Sequence, residues 1–90
     1  ISTNVLIQPL DGHWILDKDT QEIINDKITG IEIADHVWIS RNVSINKNVK
    51  IPKNSIVALG AVVVKEFSEE NVVIAGVPAK ITKRNIDWRR

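Results

Sequence analysis

The chain has 90 residues, 43% of them hydrophobic and 26% charged, with a formal net charge of +1. That size bounds it to one domain with a modest core, and the near-balanced charge gives no warrant for a nucleic-acid partner. Without cysteine there is no disulfide and no thiolate metal site, and no apolar run reaches the length of a membrane span.

From the N-terminus, the chain opens on Ile1 rather than Met, as a fragment or processed product would. With no basic-then-apolar leader, the cytoplasm is the default compartment. Ile1 and Ile7 stand six apart, with Val5 between them. The next position in that register is His13. We read residues 1–13 as a partial coil. From Trp14 the phase is lost in a polar run that includes Asp17, Lys18, Asp19 and Glu22. We read residues 14–32 as a loop extruded from a coil, and loops of that length are usually functional.

A ladder then begins. Ile33, Ile39, Ile45, Ile51, Val57 and Val63 follow one another at intervals of six. Four residues after each of the first five come Val37, Val43, Val49, Ser55 and Ala61. The intervening positions are mostly polar, such as Arg41, Asn42, Lys47, Asn48, Lys53 and Asn54. A helix would show a 3.6-residue stripe; a strict period of six fits a short strand, a corner and another short strand. The β-branched bias agrees. Three such segments make a triangular coil, so Ile33 is expected beside Ile51 and Ile39 beside Val57. The fold class is therefore all-β, a parallel β-helix, with residues 33–68 forming two coils. Residues 69–90 are expected to follow a turn at Phe67–Asn71 with a strand at 72–75, a turn at Gly76-Val77-Pro78 and a basic tail from Ile81, read as a short helix.

Three segments carry a resemblance: Ile33-Ala34-Asp35-His36-Val37-Trp38-Ile39, Asn54-Ser55-Ile56-Val57 and Ala75-Gly76-Val77-Pro78-Ala79-Lys80. They resemble the closing coils of hexapeptide-repeat acyltransferases. Asp11-Gly12-His13 and the acidic loop after it look like the active-site segment of bacterial surface-polysaccharide O-acetyltransferases. The resemblance covers nearly the whole chain but only the C-terminal part of a usual family chain. It implies a left-handed β-helix, against the usual crossover hand, and a homotrimer with active sites between subunits. The implied activity is acetyl transfer from acetyl-CoA to a saccharide hydroxyl. Two departures stand out: the family's small-residue stretch beside the donor appears as Ala58-Leu59-Gly60, and Val64 replaces a Thr.

His13 is then the expected general base, because an alcohol attacks a thioester only as its proton is removed. On spacing alone a surface histidine beside a turn is the better account, and the resemblance reverses that preference. The resemblance also implies donor contacts from Trp38, Leu59, Gly60, Lys65, Ala75, Gly76, Lys80 and Lys83. Lys65, Lys80 and Lys83 would meet the phosphates of coenzyme A. Ala75 and Gly76 are small enough for close approach. A turn and a solvated basic tail account for the same residues without a ligand, and for Arg84, Arg89 and Arg90 the solvated account is preferred. Trp38 should face outward and need a partner. His36 reads as a solvated corner residue. Two histidines without cysteine also argue against a zinc site, so no metal is expected. The alternatives are a non-catalytic or truncated β-helix scaffold, or N-acetylation of an amino sugar.

Overall fold

The computed structural model describes residues 4–8, 15–24 and 30–89. Among them the secondary structure is entirely β. Seven two-residue strands come first: β1 (Leu6–Ile7), β2 (Glu32–Ile33), β3 (Trp38–Ile39), β4 (Ser44–Ile45), β5 (Lys50–Ile51), β6 (Ile56–Val57) and β7 (Val62–Val63). Two longer ones follow, β8 (Val73–Gly76) and β9 (Ala79–Lys83). The short strands do not pair with their chain neighbours. They pair in parallel with strands of the next coil, giving three sheets ordered β1-β4-β7, β2-β5 and β3-β6-β8-β9. Three sheets visited in rotation by one chain make a triangular parallel β-helix.

The ladder residues stack as the period of six requires. Ile33 sits opposite Ile51, Ile39 opposite Val57 and Ile45 opposite Val63. Ile7 faces Ile45, so the faint upstream trace belongs to the same stack. The second residue of each ladder strand points inward: Ile39, Ile45, Val57 and Val63 are fully buried, as is Ile74 in β8. Between them Val43, Val49, Ser55 and Ala61 fill the corners from inside, also without exposure. A β-branched side chain held in one rotamer suits a column repeated at one height per coil. Ser55 is the buried polar member. Its hydroxyl donates to the Lys53 carbonyl at 3.3 Å and accepts from the Val72 N–H at 3.4 Å, so its burial leaves nothing unpaired. The coils are joined by backbone bonds such as Trp38 N–H to Ser55 O and Ser44 N–H to Ala61 O, both 3.0 Å.

The corners follow a rule of their own. His36, Asn42, Asn48 and Asn54 hold φ between 54° and 61°, and Gly60 holds 74°, again six apart. Each stands three positions after an inward aliphatic. Only glycine enters this left-handed region freely, and asparagine tolerates it best among the rest. The asparagine column is thus a column of corners.

Beyond β7 the pattern changes. Ile45 and its stacked partner Val63 lie 18 residues apart, but Val57 and its partner Ile74 lie only 17 apart. The last coil is therefore one residue short, which is why the ladder's phase breaks after Lys65. Phe67 fills the third face of this coil, 6% exposed, with its N–H on the Lys50 carbonyl at 2.9 Å. The segment expected as a basic tail or short helix instead begins with a strand: β9 runs antiparallel to β8, Ala75 opposite Lys80 and Gly76 opposite Ala79. Alternation decides this. Ala79 and Ile81 turn toward the core while Lys80, Thr82 and Lys83 face solvent.

Candidate active site

His13, with Asp11 and Gly12, lies outside the described residues. The excursion after it does have local structure. Residues 15–24 form a small antiparallel hairpin, with Leu16 bridged to Ile23 and the Ile24 N–H on the Ile15 carbonyl at 2.8 Å. At its tip Asp17 Oδ1 accepts the N–H groups of Asp19 and Thr20, each at 2.9 Å. Those bonds, Thr20 first, hold the Asp17 carboxyl below the ordinary aspartate value.

The sheet β3-β6-β8-β9 gathers most of the residues expected to bind a donor. Trp38, Ile56, Val73 and Lys83 are register partners in one row across its four strands. Their neighbours Ile39, Val57 and Ile74 point inward, so Trp38, Ile56 and Val73 face outward. Ala75 and Lys80 pair two positions further along β8. Leu59 and Gly60 form the corner at which the chain leaves this sheet, with the Gly60 N–H on the Arg41 carbonyl at 3.2 Å. Leu59 is 63% exposed. Gly76 closes β8 at φ 101°, where an added Cβ would meet the Pro78 carbonyl oxygen at 3.5 Å, and the Val77–Pro78 peptide is cis.

Lys65 and Lys80 come together in a cleft of about 420 Å³ at the end of the helix. Glu66, Phe67, Ser68, Glu69, Ile81 and Arg84 complete its walls. Lys65 Nζ lies 5.3 Å from the Phe67 ring centre, and Arg84 Nε donates to Glu69 Oε1 at 3.1 Å. That pair is exposed, so it contributes little to stability. Arg84, expected in a solvated tail, is a wall of this cleft. Lys83 stands at the far end of β9 from Lys80, opposite Val73, and is not among the cleft residues. Trp38 is also away from the cleft.

Trp38 has a different neighbour. Its ring lies 5.9 Å from that of Trp88 at 44°, a tilted aromatic pair of the kind worth about 0.5–1.5 kcal/mol beyond area burial. Trp88 is itself stacked on His36, with centroids 3.9 Å apart and planes within 8°. Two further contacts lock the stack: the His36 Nε2 to the Trp88 carbonyl at 2.9 Å and the Trp88 indole N–H to the His36 carbonyl at 3.2 Å. A carbonyl partner requires the proton on Nε2. His36 is therefore not a bare corner residue. The tail reaches it by following one corner column: Ile86 exchanges hydrogen bonds with Asn71 at 2.9 and 3.0 Å. Asn71 repeats the left-handed corner of Asn54 and His36. In the sequence, the signals of this cluster are an outward Trp38 in need of a partner and a tryptophan between Asp87 and Arg89, and no spacing links the two.

Among the described residues no group of histidine, aspartate or glutamate side chains is arranged to hold a metal ion, and no helix is long and apolar enough to cross a membrane.

The fold is a left-handed β-helix, as in the hexapeptide-repeat acetyltransferases that are its solved neighbours. The chain is homologous to polysialic acid O-acetyltransferases, matching a part of them. It is 41% identical over all 90 residues to the polysialic acid O-acetyltransferase of Escherichia coli O1:K1 / APEC, of which it spans 29%. The crystal structure of the polySia-specific acetyltransferase NeuO superposes with a TM-score of 0.88 and 41% identity, over 96% of this chain and 36% of that one. A hexapeptide-repeat acetyltransferase of Vibrio cholerae complexed with acetyl coenzyme A has a TM-score of 0.74 at 30% identity, over 97% of this chain and 46% of its own. The chain thus spans about a third of the length of the first two of these relatives. No family model matches the chain.

Proposed function

We propose that the protein transfers an acetyl group from acetyl-CoA to a saccharide hydroxyl, as a cytoplasmic homotrimer, with a sialic acid polymer as the acceptor class. One observation carries the reading most directly. Trp38, Ala75, Lys80 and Lys83 belong to a single sheet, in a chain that along its whole length matches an enzyme named for this reaction.

The residues fit the donor. Lys65, Lys80 and Arg84 converge on one cleft, and a pyrophosphate or 3′-phosphate is met by charge-assisted hydrogen bonds from such cations. Ala75 and Gly76 keep the neighbouring surface low, so that an extended arm can lie close to the backbone. Leu59 and Gly60 would flank that arm at the corner, and Trp38 would form an apolar wall.

His13 supplies the chemistry in this reading. Its imidazole takes the proton of the attacking hydroxyl as the hydroxyl oxygen bonds to the thioester carbonyl carbon. A backbone N–H stabilises the oxygen that gains charge. The carbon–sulfur bond then breaks, the thiolate leaves with the proton returned from His13, and the acetyl ester stays on the sugar. No acyl group is attached to the protein at any stage, and no metal is needed.

The test is a donor-dependent assay over a saccharide panel that includes oligosialic acid, with the oligomeric state measured in parallel. Acetyl ester formed only with the polymer of sialic acid supports the assignment. Transfer to an amino sugar nitrogen would move it to N-acetylation, and an absence of donor binding would leave a scaffold.

A further inference from the structure

Trp38 occupies an outward position on a two-residue strand and is 47% exposed. Its register partner on the next coil is Ile56, one aliphatic side chain. An indole so placed has several rotamers open to it unless something packs against its edge. The structure supplies that contact from a distant part of the chain: the tilted ring of Trp88, 5.9 Å off.

Trp88 is held far more firmly than a tail residue needs to be. His36 grips it by a ring stack and two hydrogen bonds of 2.9 and 3.2 Å, and the Asp87 carboxylate accepts its N–H at 2.9 Å. Further up, Asn71 and Glu69 tie the same tail to the last coil through Ile86 and Arg84. The grip is also local to Trp38: His36 and Trp38 stand two residues apart in the same coil. The clamp and the side chain it touches therefore share one rigid frame.

We infer that Trp88, clamped by His36, is a positioning residue that fixes the ring of Trp38 and thereby shapes the donor-binding wall. The inference rests on the reading of Trp38 as a donor-groove residue. Trp88 need not touch the donor. It removes rotamers that Trp38 would otherwise have to give up on binding, so its benefit appears as affinity.

The experiment compares Trp88→Ala, Trp88→Phe, His36→Asn and Trp38→Ala in the full chain. Asparagine at position 36 keeps the left-handed corner while removing the stack. Acetyl-CoA affinity is read by calorimetry, KM and kcat by assay, and the Trp38–Trp88 pair by its exciton band in circular dichroism. Trp88→Ala and His36→Asn are expected to raise the KM for acetyl-CoA about three- to tenfold, the range that an aromatic pair's energy converts to. kcat should hold and the exciton band should disappear. Trp88→Phe should recover most of the affinity, which a merely structural tail would not require. Native affinity in Trp88→Ala and His36→Asn, with weakened binding in Trp38→Ala, overturns the inference alone. Native affinity in Trp38→Ala overturns the reading of Trp38 and the inference with it.

Discussion

The imidazole of His36 lies flat against the indole of Trp88, centroids 3.9 Å apart, although 52 positions separate them in the chain. Each ring is also hydrogen-bonded to the other residue's backbone carbonyl. The contact joins the C-terminal end of the described chain to the first ladder coil. The corner column of His36, Asn54 and Asn71 is thus spanned from outside as well as held from within.

The corner column gives a prediction about stability. Asn42 holds φ 59°. Asn42→Ala should destabilise the fold by about 1 kcal/mol, because alanine enters the left-handed region at a cost of about 1–2 kcal/mol and asparagine bears part of that cost already. Asn42→Gly should be close to neutral. Urea denaturation midpoints of the two variants check this, and equal losses in both would contradict the backbone explanation.

The basic cleft gives a second. Replacing Lys65 and Lys80 by alanine should raise the KM for acetyl-CoA by roughly tenfold while kcat stays within about twofold, since phosphate contacts far from the reacting carbonyl contribute to binding alone. The wild-type KM should rise with ionic strength, and that rise should flatten in the double variant. A salt response that persists unchanged would place the phosphates elsewhere.

For His13, the expected loss on His13→Ala is about 100-fold or more in turnover, the scale of a general base. The rate should also fall toward acid, where a protonated imidazole has no lone pair to accept the hydroxyl proton. Single-turnover measurements across pH separate this from a change in donor binding, and a variant with wild-type turnover would remove His13 from the reaction.

Asp17 carries a pH prediction confined to the hairpin tip. Its folded pKa is lowered by the N–H groups of Thr20 and Asp19. The contribution to the tip is therefore complete above the ordinary aspartate value of about 3.9 and is lost as pH falls through the lower folded value. A carboxyl titration followed by NMR should show a midpoint below 3.8. Asp17→Ala should speed amide exchange at Asp19 and Thr20, with the ladder amides unaffected.

The stack is legible in the sequence because each coil repeats one demand, a large aliphatic at a fixed height, and Ile33 to Val63 meet it without interruption. The asparagine corners are present there as polar spacing, but a positive φ leaves no mark in hydrophobic pattern. The last coil is hidden by its single missing residue, which shifts every position after Lys65 out of phase. β9 is obscured by its lysines: Lys80 and Lys83 give it the look of a solvated tail, while the inward pair Ala79 and Ile81 is too short a pattern to stand out. The candidate site divides the same way. Ala75, Gly76 and Lys80 are visible as a local motif, whereas the His36–Trp88 clamp depends on a contact between distant segments that no spacing rule predicts.

The interval between Ile7 and Ile33 has a consequence for variation. Ile7 and Ile33 lie on successive faces of the prism, yet 26 residues separate them where the ladder needs six. Both anchors are held by partners on the next coil, Ile45 and Ile51. Of the chain between them, residues 15–24 form the small hairpin, and lengthening a flexible connection adds only about 0.6 kcal/mol of closure entropy for each doubling. Insertions and deletions between the anchors are therefore expected to leave the pairs Ile7–Ile45 and Ile33–Ile51 in place. Length can thus vary between the two anchors while the aliphatic columns behind them remain the same.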